Sequence, residues 1–113
     1  MAIDKSALKK EYKMRPPAAG VYMIVNRQNG RRLLATSANI VGRFNRYRVE
    51  LQSQSCRHHL LMQDWLRYGE DAFEFTIVDT LEDLPSDRAE LRSELAELLC
   101  LWQEKWPDCE YNR

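Results

Sequence analysis

Gly20-Val21-Tyr22-Met23-Ile24-Val25-Asn26, then Arg27-Gln28-Asn29-Gly30, then Arg31-Arg32-Leu33-Leu34-Ala35 follow one another without a break. The first stretch is rich in β-branched and aromatic residues and reads as a strand. The second reads as a turn, because Asn and Gly both tolerate the positive φ angles that close a hairpin. The third returns as a second strand. A hairpin imposes antiparallel pairing, so a small, mostly antiparallel sheet is expected.

Before the hairpin, Ser6 to Lys13 reads as a short helix with Ser6 as its N-cap, ended by Pro16-Pro17. Residues 1–17 are therefore set apart as an N-terminal helical arm, and residues 18–113 as the domain. After the hairpin, Ser37-Ala38-Asn39 can cap a helix from about Ile40 to Leu51, in which Ile40, Phe44, Tyr47 and Leu51 recur at three- and four-residue steps. A second helix is expected over His59 to Tyr68, with Leu60, Leu61, Trp65 and Tyr68 inward and Gly69 just past its end. Phe73 to Val78 reads as a third strand. Arg88 to Trp106 reads as a long helix with the stripe Leu91, Leu95, Leu98, Leu99 and Trp102, stopped by Pro107. The expected fold is α+β, a three-stranded, mostly antiparallel sheet flanked by helices.

A chain of 113 residues fits one domain. No apolar run approaches the roughly 18 residues of a membrane span, and Met1 to Lys5 lacks a secretory stretch. A cytoplasmic protein with no membrane partner is expected. The three cysteines, Cys56, Cys100 and Cys109, are odd in number and show no CxxC spacing, which argues against a disulfide framework and a zinc site. Cys100, inside Leu98-Leu99-Cys100-Leu101-Trp102, reads as a small buried hydrophobe. The zero net charge hides a split. Residues 1–57 carry 12 basic and 3 acidic side chains, and residues 58–113 carry 5 and 14. Such asymmetry points either to a polyanion-binding face or to two halves that pair on folding.

The hairpin, the helices and their spacings resemble the GIY-YIG nuclease family. Gly20-Val21-Tyr22 stands as the first signature. The second normally begins with a tyrosine eleven residues on, where this chain has Leu33-Leu34-Ala35. Asn39-Ile40 and Arg43 match the segment that follows. Leu61 to Phe75 resembles the family's helix, glycine turn and third strand. Glu97 falls at the metal-binding glutamate, and Tyr111-Asn112 resembles the terminal Tyr-Asn pair, fourteen and fifteen residues beyond it. The likeness spans roughly residues 18–113. The Leu8 to Lys13 arm and Asn45-Arg46 look most like small bacterial members of unassigned role, some of them joined to transcriptional-regulator domains.

The resemblance implies an endonuclease that hydrolyses phosphodiesters with one divalent metal, Mg²⁺ or Mn²⁺, on nucleic acid, DNA before RNA. Such chemistry needs a base for water, a cation for the charge developing on phosphate oxygens, and a metal to polarise the phosphate. The roles implied are Tyr22 near the attacking water, Arg43 on the transition state, Glu97 on the metal, and Asn112 orienting the site. Tyr47 stands where the family often has histidine. A phenol is a poorer base at neutral pH than an imidazole. Arg31, Arg32, Arg46 and Arg48 are the candidate phosphate contacts. A polar position at the start of the next helix falls on Arg57, His58 or His59, and a one-turn slip would exchange Glu97 for Glu94. The alternative is a catalytically inactive nucleic-acid-binding or protein-interaction module, favoured by Leu33 and Tyr47. Tyr22 as a core aromatic, and Arg43 and Glu97 as solvated helix residues, are the plainer readings.

Overall fold

The computed structural model describes residues 18–112. The expected arm over residues 1–17 lies outside them. The elements are β1 (Gly20–Asn26), β2 (Arg32–Ser37), α1 (Ile40–Gln52), α2 (His59–Tyr68), β3 (Phe73–Thr80) and α3 (Arg88–Lys105). One-turn 3₁₀ helices at Glu70–Ala72 and Glu110–Asn112 complete the path.

The strand order is β2-β1-β3, with β1 antiparallel to both neighbours. Alternation along β1 sends Tyr22 and Ile24 to one face and Val21 and Met23 to the other. The first face also holds Leu33, Phe73 and Phe75, and it packs against Ile40, Phe44 and Leu51 of α1 and Leu61 of α2. The second face adds Leu34 and is covered by Leu98, Leu99 and Trp102 of α3. Burial on both sides is why β1 reads as a nearly continuous apolar run.

The positive φ of the hairpin falls on Gly30 alone (φ 78°). Asn29 instead accepts the Arg31 N–H through its side chain at 2.9 Å. The turn is thus wider than a two-residue Asn-Gly loop. Gly20 is required for a different reason: a Cβ there would collide with the carbonyl oxygen of Asp79 on β3. Beside it the β1–β3 register shifts, so that Val21 faces Asp79 and Tyr22 faces Ile77.

Each helix begins on a side-chain cap. Asn39 accepts from the Gly42 N–H at 3.0 Å, and Asp87 from that of Ala89 at 3.0 Å. The cap of α2 is His58, whose Nδ1 accepts from Leu61 at 3.2 Å. Gly69 ends α2 at φ 84°.

One core expectation is corrected. Cys100 is exposed, and Cys109 is the buried cysteine. Only one side of α3 meets the sheet, and Cys100 falls on the outer side with Leu101.

The C-terminal turn crosses the outer edge of β2. Cys109 packs in the cluster of one face, and Tyr111 is buried in that of the other. Asn112 pairs with the backbone of Leu34 like a surrogate strand, its Oδ1 accepting from the N–H and its Nδ2 donating to the carbonyl, both at 2.7 Å.

Candidate active site

β1 delivers Tyr22 to the face beneath α1, where its ring meets Phe44 edge-on at 5.5 Å between centroids. Its side chain is only 2% exposed. Its hydroxyl lies 3.3 Å from that of Tyr47, one turn along α1 from Arg43. Burial pushes the Tyr22 phenol well above its ordinary pKa, and the hydrogen bond to Tyr47 adds to this. The nearby charge of Arg43 opposes it.

Tyr47 is half-buried and lines an open cleft of about 530 Å³, shared with Arg43, Arg46, Glu50, Cys56, Arg57 and His58, among others. Tyr22 does not line it and sits behind Tyr47. Arg46 is held by Glu50 at 2.9 Å. The guanidiniums of Arg43 and Arg57 have no hydrogen-bond or ion-pair partner among the described residues. The cleft therefore presents two unpaired guanidiniums beside a phenol pair, a setting suited to phosphate oxygens.

His58 lines the same cleft, but both ring nitrogens are occupied. Nδ1 accepts from the Leu61 N–H, and Nε2 donates to the carbonyl of Tyr111. That pattern is the neutral Nε2–H tautomer. His58 therefore joins the start of α2 to the C-terminal turn and offers no lone pair to the cleft. Burial pushes the Cys56 thiol up, so thiolate chemistry there is disfavoured.

The other sequence-derived candidates have partners. Arg31 bonds Asp64 at 3.0 Å. The guanidinium of Arg32 lies 4.6 Å from the Trp106 ring centre, and that of Arg48 lies 4.6 Å from Phe75. Asn112 spends both amide groups on Leu34, so its side chain fixes the C-terminal turn.

Asp64 is the polar residue that sequence reasoning missed. It is 3% exposed and accepts from Tyr111, Asn29 and Arg31. Asn26, fully buried on β1, donates to the Tyr111 hydroxyl at 3.4 Å. The signal in the sequence is an acidic residue on the face of α2 that also carries Leu61 and Tyr68.

Glu97 is exposed on α3 and does not line the Arg43 cleft, whereas Glu94 is half-buried. No group of three or more His, Cys, Asp or Glu side chains is gathered for a metal among the described residues. Glu97 has no hydrogen-bond or ion-pair partner among them either. One open carboxylate fits a hard divalent cation that keeps most of its water shell, and nothing held more tightly.

No family model matches the sequence, and no curated protein does. Solved structures do match. The catalytic domain of the homing endonuclease I-TevI aligns with a TM-score of 0.58 at 20% identity, over 77% of this chain and 86% of that one. A point mutant of the same domain gives 0.62 at 18% identity, over 78% and 82%. Identity at this level speaks for the fold. The architecture expected from the sequence, a three-stranded antiparallel sheet flanked by helices, is the one observed, and it is the fold of the I-TevI catalytic domain.

Proposed function

We propose that this chain is a GIY-YIG-type, metal-dependent endonuclease that hydrolyses nucleic-acid phosphodiesters, DNA before RNA, in the cytoplasm. The observation that carries the reading is Arg43, free of any acidic partner among the described residues, next to the Tyr22–Tyr47 phenol pair in an arginine-lined cleft. The fold shared with an endonuclease catalytic domain supports it.

In this reading Arg43 and Arg57 bind the phosphate, and Arg43 follows the negative charge that grows on its oxygens as the bond to phosphorus forms. The buried Tyr22 holds Tyr47 in place. Glu97 would hold Mg²⁺ or Mn²⁺, which when bound supplies Lewis-acid polarisation of the phosphate. Asn112 acts by fixing the C-terminal turn on β2.

A second reading, a catalytically inactive nucleic-acid-binding or protein-interaction module, draws on two observations. Leu33 is packed in the core where the family has its second tyrosine, and Glu97 stands outside the cleft. Cleavage of plasmid and single-stranded DNA with Mg²⁺ and Mn²⁺, wild type against Glu97→Ala, decides between them. Cleavage lost in Glu97→Ala supports the nuclease. DNA binding without cleavage supports the module.

A further inference from the structure

A second cavity, of about 350 Å³, opens on the far side of α1 from the arginine cleft. Arg43, Arg46, Tyr47 and Glu50 line the cleft, whereas Arg48 and Gln52 line this cavity. At about 100° of turn per residue the two sets leave α1 in opposite directions. The floor is aromatic. Trp65 lies on the buried Phe73, their ring centroids 5.3 Å apart, and Phe75 continues the surface. Glu70 and Asp71, from the one-turn helix after α2, stand at the rim.

The polar groups around this floor are open to a ligand. The guanidinium carbon of Arg48 sits 4.6 Å from the centre of the Phe75 ring, and its N–H groups have no hydrogen-bond acceptor among the described residues. Asp71 uses its backbone carbonyl, which accepts from Arg27 at 2.6 Å, and its carboxylate has no partner among them. Glu70 accepts from Gln52 at 3.4 Å. The indole N–H of Trp65 also lacks an acceptor and reaches solvent.

Two carboxylates at the rim repel a phosphate, while an aromatic floor favours a flat ligand that stacks. Such a ligand must offer acceptors to a guanidinium and donors to a carboxylate. Guanine is the base that does both. Its N7 and O6 are paired acceptors that match an arginine fork, and its N1–H and 2-amino group are paired donors. Adenine sets a donor beside N7, and the pyrimidines have no such pair of acceptors on that edge.

We infer that this cavity binds the base of an unpaired guanine nucleotide. Trp65 stacks on the base, Arg48, held on Phe75, takes N7 and O6, and the Asp71 carboxylate takes N1–H and the 2-amino group. The inference deepens the nuclease reading and rests on it for the source of the base. Tyr47 and Arg48 are consecutive, so a strand with its phosphate at Arg43 crosses the width of one helix, about 10–12 Å, to bring a nearby base here. In a duplex the N1–H and 2-amino group are already paired and both faces are stacked, so the base enters from a single strand or after extrusion.

The test is a ¹H–¹⁵N NMR titration of the full chain with 2′-deoxyguanosine, a probe without phosphate that reads this cavity whether or not the chain cuts DNA. The Trp65 indole N–H and the amides of Arg48, Glu70 and Asp71 should shift and saturate, with 2′-deoxyadenosine, 2′-deoxycytidine and thymidine binding about 10-fold more weakly or worse. 2′-Deoxyinosine, which lacks the 2-amino group, should lose about 10-fold. Asp71→Asn, an exposed substitution checked for folding by circular dichroism, should bring 2′-deoxyguanosine down to the level of 2′-deoxyinosine, which a merely structural role for Asp71 would not do. No shift at Trp65 with any nucleoside, or equal affinity for all four, would overturn the inference. DNA cleavage alongside either of those results would leave the nuclease reading standing. Selective binding of 2′-deoxyguanosine by a chain that cuts no DNA would uphold the base site and remove the nuclease reading.

Discussion

Tyr111 donates its phenolic proton to Oδ2 of Asp64 at 2.6 Å, joining residues 47 positions apart and both almost fully buried. Through this bond the C-terminal turn is locked to α2, and the Tyr111 carbonyl in turn holds His58 at the wall of the cleft. Asp64→Ala would leave the Tyr111 hydroxyl and the Asn29 amide without their acceptor. The expected cost is about 2–4 kcal/mol of unfolding free energy. Tyr111→Phe, which removes the donor to Asp64 and also the acceptor of the buried Asn26 amide, should cost about 1–3 kcal/mol. Urea denaturation followed by tryptophan fluorescence measures both. A midpoint of Asp64→Ala equal to wild type would show that the network adds nothing.

The same carboxylate makes stability depend on acid. Burial alone would raise the pKa of Asp64. The hydrogen bonds from Tyr111, Asn29 and Arg31 outweigh burial and hold it below the ordinary carboxylate value. A folded-state pKa below the unfolded one means that the unfolded chain binds more protons, so stability rises with pH across that interval. The contribution is fully present above about pH 4, the ordinary aspartate range, and is lost as pH falls through the depressed folded value. Thermal unfolding of wild type between pH 5 and pH 2 should show this loss. Asp64→Asn should be less stable at pH 6, with a shallower acid slope. A parallel slope in the variant would remove Asp64 from the account.

The contrast between local and distant partners explains what could be read in advance. β1 and the three helices announce themselves through periodicity and through caps such as Asn39 and Gly69, all signals carried within a few residues. The observed bounds of α2, His59–Tyr68, are the ones expected. Asp64, His58 and Asn112 take their meaning from groups 47, 53 and 78 positions away. No local pattern encodes such a pairing. The arginines show the same limit. Arg31, Arg32, Arg46 and Arg48 look alike in sequence to Arg43, and only the folded chain shows that each has an internal partner.

That difference separates the arginines by experiment. A guanidinium without an internal partner can exchange its water for a phosphate, whereas one already bonded must first give up that contact. Arg43→Ala should weaken DNA binding and lower the slope of log K against log salt by about one contact. It should also reduce cleavage by about 10²-fold or more. Arg31→Ala should leave the salt slope unchanged and instead destabilise the fold, because it removes a donor to buried Asp64. Fluorescence anisotropy over a salt series reads the first effect, and thermal denaturation the second. Equal salt slopes for Arg43→Ala and wild type would take Arg43 out of the phosphate site.

Leu33 supplies the last prediction. It stands opposite Ile24 across the β1–β2 ladder, is 6% exposed, and packs in the cluster that contains Tyr22 and Phe44. The side chain is thus a working part of the core. Leu33→Tyr restores the family's second tyrosine but must place a larger ring and a hydroxyl in filled space, at an expected cost of about 1–3 kcal/mol. The new hydroxyl would be on the same sheet face as Tyr22, so two outcomes can be told apart by measuring cleavage and denaturation together. Lower stability with faster cleavage would mean that the site tolerates the second phenol and that Leu33 is what holds the rate down. Lower stability with unchanged or slower cleavage would mean that the hydroxyl is buried away from the cleft and that catalysis here runs without it.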